Sequence, residues 1–151
     1  MATKIEGISG LKAAVGTHLG YSDWLEVTQE QVDLFAEATG DHQWIHVDTE
    51  RAKAGPFGTT IAHGFLTLSL FPKVMADVVS VEGISMGINY GLDKVRFITP
   101  VPVGGRIRAR VTLDSVHEIL GGIQADRTVT IELEGADKPA CVAVSIVRYL
   151  A

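Results

Sequence analysis

Cysteine is almost absent from this 151-residue chain: Cys141 stands alone, inside the apolar run Ala140–Val147. One thiol excludes an intrachain disulfide and a thiolate metal cluster, and it predicts a reducing, cytoplasmic setting. Long hydrophobic runs are missing too. No stretch approaches the roughly 18 apolar residues of a membrane span, and residues 1–20 lack a continuous hydrophobic segment followed by a small-residue cleavage site. Neither secretion nor membrane insertion is expected. Basic charge is in deficit, with 13 Lys and Arg against 18 Asp and Glu and a pI near 5.5, which argues against sequence-independent binding to nucleic acid. Repeats, low-complexity tracts and long linkers are absent, so residues 1–151 are expected to form one domain. Gly83–Gly91 is glycine-rich but lacks the spacing and helical context of a dinucleotide fingerprint or phosphate loop, so no cofactor is predicted.

What is present is a hydrophobic share of 46%, ample for a proper core. Thr28 followed by Gln31 has the form of a capping box, and Val32, Phe35, Ala36 and Thr39 recur at helical spacing until Gly40 offers a stop. Asp41 therefore falls just past a helix end. Residues Thr49–Ala54 form a short helix capped by Asp48, and Gly55-Pro56-Phe57-Gly58 turns the chain so that His63 can approach Asp41. From Gly64 to Phe71 the residues are nearly all apolar, which predicts a central helix buried on most sides and bent or broken near Pro72.

The second half changes period. Ile107, Ala109, Val111 and Leu113 share one face of a strand, as do Ile123, Ala125, Val129, Ile131 and Leu133 beyond Gly121-Gly122. These are antiparallel strands joined by a hairpin. Ala140–Val147, apolar on both faces, reads as a well-covered strand, Ser85–Ile98 as another, and Gly135–Lys138 as a turn. An antiparallel sheet folded against one hydrophobic helix is an α+β architecture.

The residues with chemistry to offer are Asp41, His46 and the pair His63-Gly64. A carboxylate and an imidazole beside helix N-terminal amides suit the activation of water together with stabilisation of negative charge on a carbonyl oxygen. Trp44 and Tyr90 are candidates to line an apolar channel, and Asn89 to hydrogen-bond a ligand. His42, His46, Asp48 and His63 have the donor chemistry of a metal site but match no metal-binding spacing, and no metal is assigned.

These stretches resemble the MaoC-like hot-dog dehydratases, including the (R)-specific enoyl-CoA hydratases and the nodulation-protein-N-like branch. The resemblance is carried by the run from Phe35 to Asp48, by Ala52, Gly55–Gly58 and Ile61–Phe65, and by Val95–Val101 with Gly104. It implies a hot-dog fold, a curved antiparallel sheet around a central helix, assembled as a homodimer and acting on acyl thioesters of coenzyme A or acyl carrier protein. It places catalytic roles on Asp41 and His46, with the Gly64 amide as oxyanion donor in the reversible hydration of a 2-enoyl thioester. His63, Trp44, Asn89 and Tyr90 would contact substrate, and Lys94 and Arg96 would meet its phosphates. Two departures stand out. Gln43-Trp44 replaces the Asn-Pro common in hydratase-like members, as in the nodulation-protein-N-like branch. Pro72 falls where some relatives carry a serine that holds the aspartate, which leaves another group, such as a backbone donor, to orient Asp41. An acyl thioesterase and a non-catalytic acyl-binding module are the competing functions.

Overall fold

The structure, a computed structural model, describes residues 2–151. Strands β1 (Thr3–Glu6), β2 (His18–Tyr21) and β3 (Leu25–Glu26) lie in the N-terminal part, with helix α1 (Gly7–Ala13) between the first two. Four helices or helical turns follow: α2 (Gln29–Thr39), α3 (Trp44–Val47), α4 (Thr49–Lys53) and α5 (Gly64–Ser69). Helix α6 (Phe71–Val78) then leads into β4 (Val79–Glu82), β5 (Met86–Phe97), β6 (Arg106–Ile119), β7 (Gly122–Leu133) and β8 (Cys141–Leu150). The main sheet runs β2-β6-β7-β8-β5, with β3 also on β6, and every pairing in it is antiparallel. This is the expected hot-dog arrangement: the sheet curls around α5 and α6.

The period-2 pattern is realised as anticipated. Ile107, Ala109, Val111 and Leu113 of β6 and Ile123, Ala125, Val129 and Ile131 of β7 are buried on one face, packed with Phe71, Val74, Met75 and Val78 of α6. Register shifts between Leu113 and Ser115 in β6 and at two points in β5 mark irregularities that bend the strands around the helix. The opposite face of β6 carries Arg106, Arg108 and Arg110, engaged with Glu134 and Glu132. Arg106 holds the Glu134 carboxyl below its ordinary range through their hydrogen bond. Strand β8 departs from the expectation of cover on both faces: it alternates buried and half-buried residues.

Helix punctuation also follows the sequence. Thr28 Oγ1 accepts the Gln31 amide at 3.2 Å and Gly40, at φ 80°, closes α2. The box is half-made, however, because the Gln31 carbonyl oxygen Oε1 is buried without a partner. The central helix breaks at Leu70, and Pro72 enters near the start of α6, where a missing amide hydrogen costs nothing. Helices α1 and α3, the strands β1 to β4 and the parallel pairing of β1 with β4 were not anticipated from the sequence.

Ile107, fully buried at the contact with the helix, is the sensitive core position. Ile107→Ala is expected to lower unfolding free energy by about 2–5 kcal/mol in chemical denaturation. Burial pushes the Cys141 thiol up to about 11, so it stays protonated at pH 8. A disulfide reagent at that pH should leave the folded protein unlabelled and modify it only after unfolding.

Candidate functional site

Helix α2 ends at Gly40 and delivers Asp41 to an exposed turn. The turn is held by the side chain it presents, since Asp41 Oδ1 accepts the Gln43 amide at 3.3 Å. A backbone donor thus meets the Asp41 carboxylate. One residue later the chain tightens into α3, which carries His46 inward until it is 6% exposed.

Two imidazoles meet there. His46 Nδ1 donates to the Ile61 carbonyl at 2.7 Å and His63 Nε2 donates to the Asp41 carbonyl at 3.0 Å; because carbonyls only accept, these bonds fix which nitrogen of each ring carries hydrogen. The rings stack with centroids 3.8 Å apart, and Phe35 packs against the far side of His63. His63 Nδ1 is buried without a partner. One nitrogen from each histidine and a carboxylate oxygen of Asp41 all lie within 4.8 Å of one another.

The segment bearing His63 is anchored by main-chain bonds: Ile61 to the Ile45 carbonyl, Ala62 to Val101 and Val103 to Thr60. It then opens directly into α5, where the Leu66 and Thr67 amides donate to the His63 carbonyl and the Gly64 and Phe65 amides have no carbonyl one turn earlier to receive them. A cavity of about 230 Å³ borders this helix start, lined by His46, Gly64, Thr67, Phe97 and Ile98. Gly64 is closely packed: a Cβ there would lie 3.0 Å from the Phe97 ring, which would have to give by a few tenths of an ångström. The crowding comes from this aromatic, whereas the sequence argument invoked room for a ligand.

Gln29 was missed in the sequence. Its Nε2 donates to the His46 carbonyl at 2.8 Å, and its Oε1 accepts Thr60 Oγ1 at 2.6 Å, so one side chain ties α2 to both segments that carry the histidines. A glutamine in the first turn of a helix has no distinguishing pattern; only tertiary placement reveals it.

Other expected contacts are dispersed. Trp44 does not border this cavity: its ring lies beneath the Arg51 guanidinium, 4.3 Å away, and against Gly55. Asn89 and Tyr90 line a second, larger cavity between α5–α6 and the sheet. Lys94, at φ 52°, and Arg96 sit exposed at an irregularity of β5. The four-residue metal set does not assemble, because His42 lies toward Glu37 and Asp48 caps α4.

Comparison with known proteins agrees with this geometry. The MaoC like domain model matches residues 11–134. The chain is 58% identical over 147 residues to 3-hydroxyacyl-thioester dehydratase Z of Mycobacterium tuberculosis, covering 97% of each chain. It is 43% identical over 148 residues to nodulation protein N of Rhizobium leguminosarum bv. viciae, covering 94% of this chain and 91% of the relative. Among solved structures it resembles an (R)-hydratase from A. caviae involved in PHA biosynthesis, with TM-score 0.72 and 26% identity over 88% of this chain and 94% of that one. With the sheet wrapped on its central helix and an aspartate and histidine converging at the helix start, the chain belongs to the MaoC-like hot-dog dehydratase family.

Proposed function

We propose that the protein is an (R)-specific enoyl-CoA hydratase and 3-hydroxyacyl-thioester dehydratase, which adds water reversibly across a trans-2-enoyl thioester. The observation that carries this reading is the approach of Asp41 to His46, which lines a cavity that also borders the Gly64 helix start. Their separation suits one water held by both side chains. As that water's oxygen bonds to the β-carbon, its proton passes to the pair, and a proton is delivered to the α-carbon. Negative charge grows on the thioester oxygen meanwhile. The Gly64 amide, with no helical acceptor, answers it at the positive end of α5. Dehydration runs the same path backwards.

The donor arrangement explains the supporting residues. His46 Nδ1 is committed to Ile61, which leaves Nε2 for the water. His63 does not exchange protons in this scheme; it pins the Asp41 main chain. The substrate is a thioester of coenzyme A or acyl carrier protein, with Lys94 and Arg96 the cations we assign to its phosphates. The working form is a homodimer in the cytoplasm. Strand β5 ends the sheet and exposes Met86, Ile88, Tyr90 and Leu92, an edge suited to a second copy. No helix among the described residues is long and apolar enough to cross a membrane.

Asp41→Asn should lower kcat/KM for 2-enoyl-CoA hydration by roughly 10²–10⁴-fold with the melting temperature retained, and His46→Ala should do so with a lowered melting temperature, because it leaves the buried Ile61 carbonyl without its donor. Loss of the enoyl absorbance without release of free thiol separates this activity from thioester cleavage; thiol release at the same rate would establish a thioesterase. Gly64 permits a sharper test, because His63 already has the extended backbone that precedes proline and the first helical position accepts proline. Gly64→Pro removes the amide hydrogen, whereas Gly64→Ala keeps it and adds comparable crowding against Phe97. Proline should fall below alanine by about 10²–10³-fold in kcat, and equal rates would remove the amide from the mechanism.

A further inference from the structure

The buried phase of β7 reads Ile123, Ala125, Arg127, Val129, Ile131. A guanidinium thus stands where the fold elsewhere uses aliphatic side chains. Arg127 is 9% exposed; its Nη2 donates to Ser145 Oγ at 3.0 Å and its Nη1 to Tyr149 Oη at 3.2 Å, while Nε is buried with no partner. Among the described residues no carboxylate forms an ion pair with it. Withdrawing a charge from water with only two hydroxyls in return is unfavourable, and burial accordingly lowers the guanidinium pKa, against an opposing effect of Tyr149.

The guanidinium faces a use. Arg127, Ser145, Tyr149 and Asn89 line one part of the larger cavity, about 600 Å³, and Leu68 and Met75 line the part contributed by the helices. Helix α5 borders both cavities: Gly64 and Thr67 touch the smaller one, Leu68 and Ser69 the larger. Leu68 lies about 6 Å beyond Gly64 along the helix. The two cavities thus lie about one helical turn apart along α5. A plain hydrocarbon end would leave the cation unanswered, whereas a carboxylate matches the planar fork of donors and supplies the missing charge.

We propose that the larger cavity takes the far end of the acyl chain and that Arg127 is a specificity residue for a carboxylate there, making thioesters of dicarboxylic acids the preferred substrates. This inference rests on the hydratase reading. The test compares kcat/KM for an ω-carboxy-2-enoyl-CoA with that for the unsubstituted 2-enoyl-CoA of equal chain length. In the wild-type protein the ratio should favour the carboxylate at least tenfold. Arg127→Met should lower the ratio at least tenfold, with Arg127→Lys retaining part of the preference.

A wild-type ratio at or below one overturns the inference while leaving the hydratase reading intact, and this arm needs no variant to fold. A ratio unchanged by Arg127→Met also overturns it; dissociation of the dimer in that variant would then assign the counter-charge to a second copy. If the wild-type protein hydrates neither thioester, the hydratase reading fails. The site is then decided by calorimetric binding of the saturated ω-carboxyacyl-CoA and plain acyl-CoA. Tenfold tighter binding of the former supports it, and equal binding overturns it.

Discussion

The hydrogen bond from His63 Nε2 to the Asp41 carbonyl, with the Ile61–Ile45 and His46–Ile61 bonds beside it, joins the loop after α2 to the segment that opens α5. Asp41 lies on an exposed turn after a helix end, where the helix dipole is unfavourable to a carboxylate. His63 precedes α5 and is buried between Phe35 and His46. By holding the main chain of the first against the start of the second, this bond brings a mobile kind of side chain to the positive end of a buried helix. The acid–base pair and the oxyanion donor proposed above are brought together with the help of that closure.

Around it the protein spends ordinary packing to obtain precise placement. Gln29 grips the carbonyl of His46 and the hydroxyl of Thr60, and the strand-like segment from Thr60 to Ala62 is tied to residues 101–103. The imidazoles are therefore oriented by backbone acceptors, which do not change charge during a reaction. Hydration needs such fixity, because the pair must return to its starting state whichever way the water travels. The sheet lies behind the helix, and its arginine-rich outer face is paired with Glu132 and Glu134.

The two cavities divide the labour between ends of a single short helix. The small one, at its amino end, suits bond making; the large one, beside its second turn and α6, suits recognition. Strand β5 contributes to both through Phe97 at one end and Asn89 to Leu92 at the other. Arg127 belongs to the recognition end, and its burial without a carboxylate makes it the least self-sufficient polar group in the core. A substrate carrying the complementary charge would relieve that deficit and select itself by doing so.

Local signals were strong where one residue type has one physical use. Thr28, Gly40 and Asp48 mark helix ends through caps that few other side chains make, and the alternation in β6 and β7 allows a single buried face. The order Asp41, His46, His63-Gly64 likewise marked residues that the fold brings close together. What the sequence left open were relations between distant segments. Trp44 stacks on Arg51 away from the cavities, Asn89 and Tyr90 border a different cavity from His46, and Gln29 reaches across to the histidine loop. Arg127 stands in the same alternating phase as its aliphatic neighbours, and only the fold shows that no counter-ion meets it. Periodicity and capping act over one or two turns of chain, so the amino-acid order determines them directly; contacts between residues far apart in the chain, such as Gln29 with Thr60 or His63 with Asp41, depend on how the sheet closes on its helix, and that was decided in three dimensions.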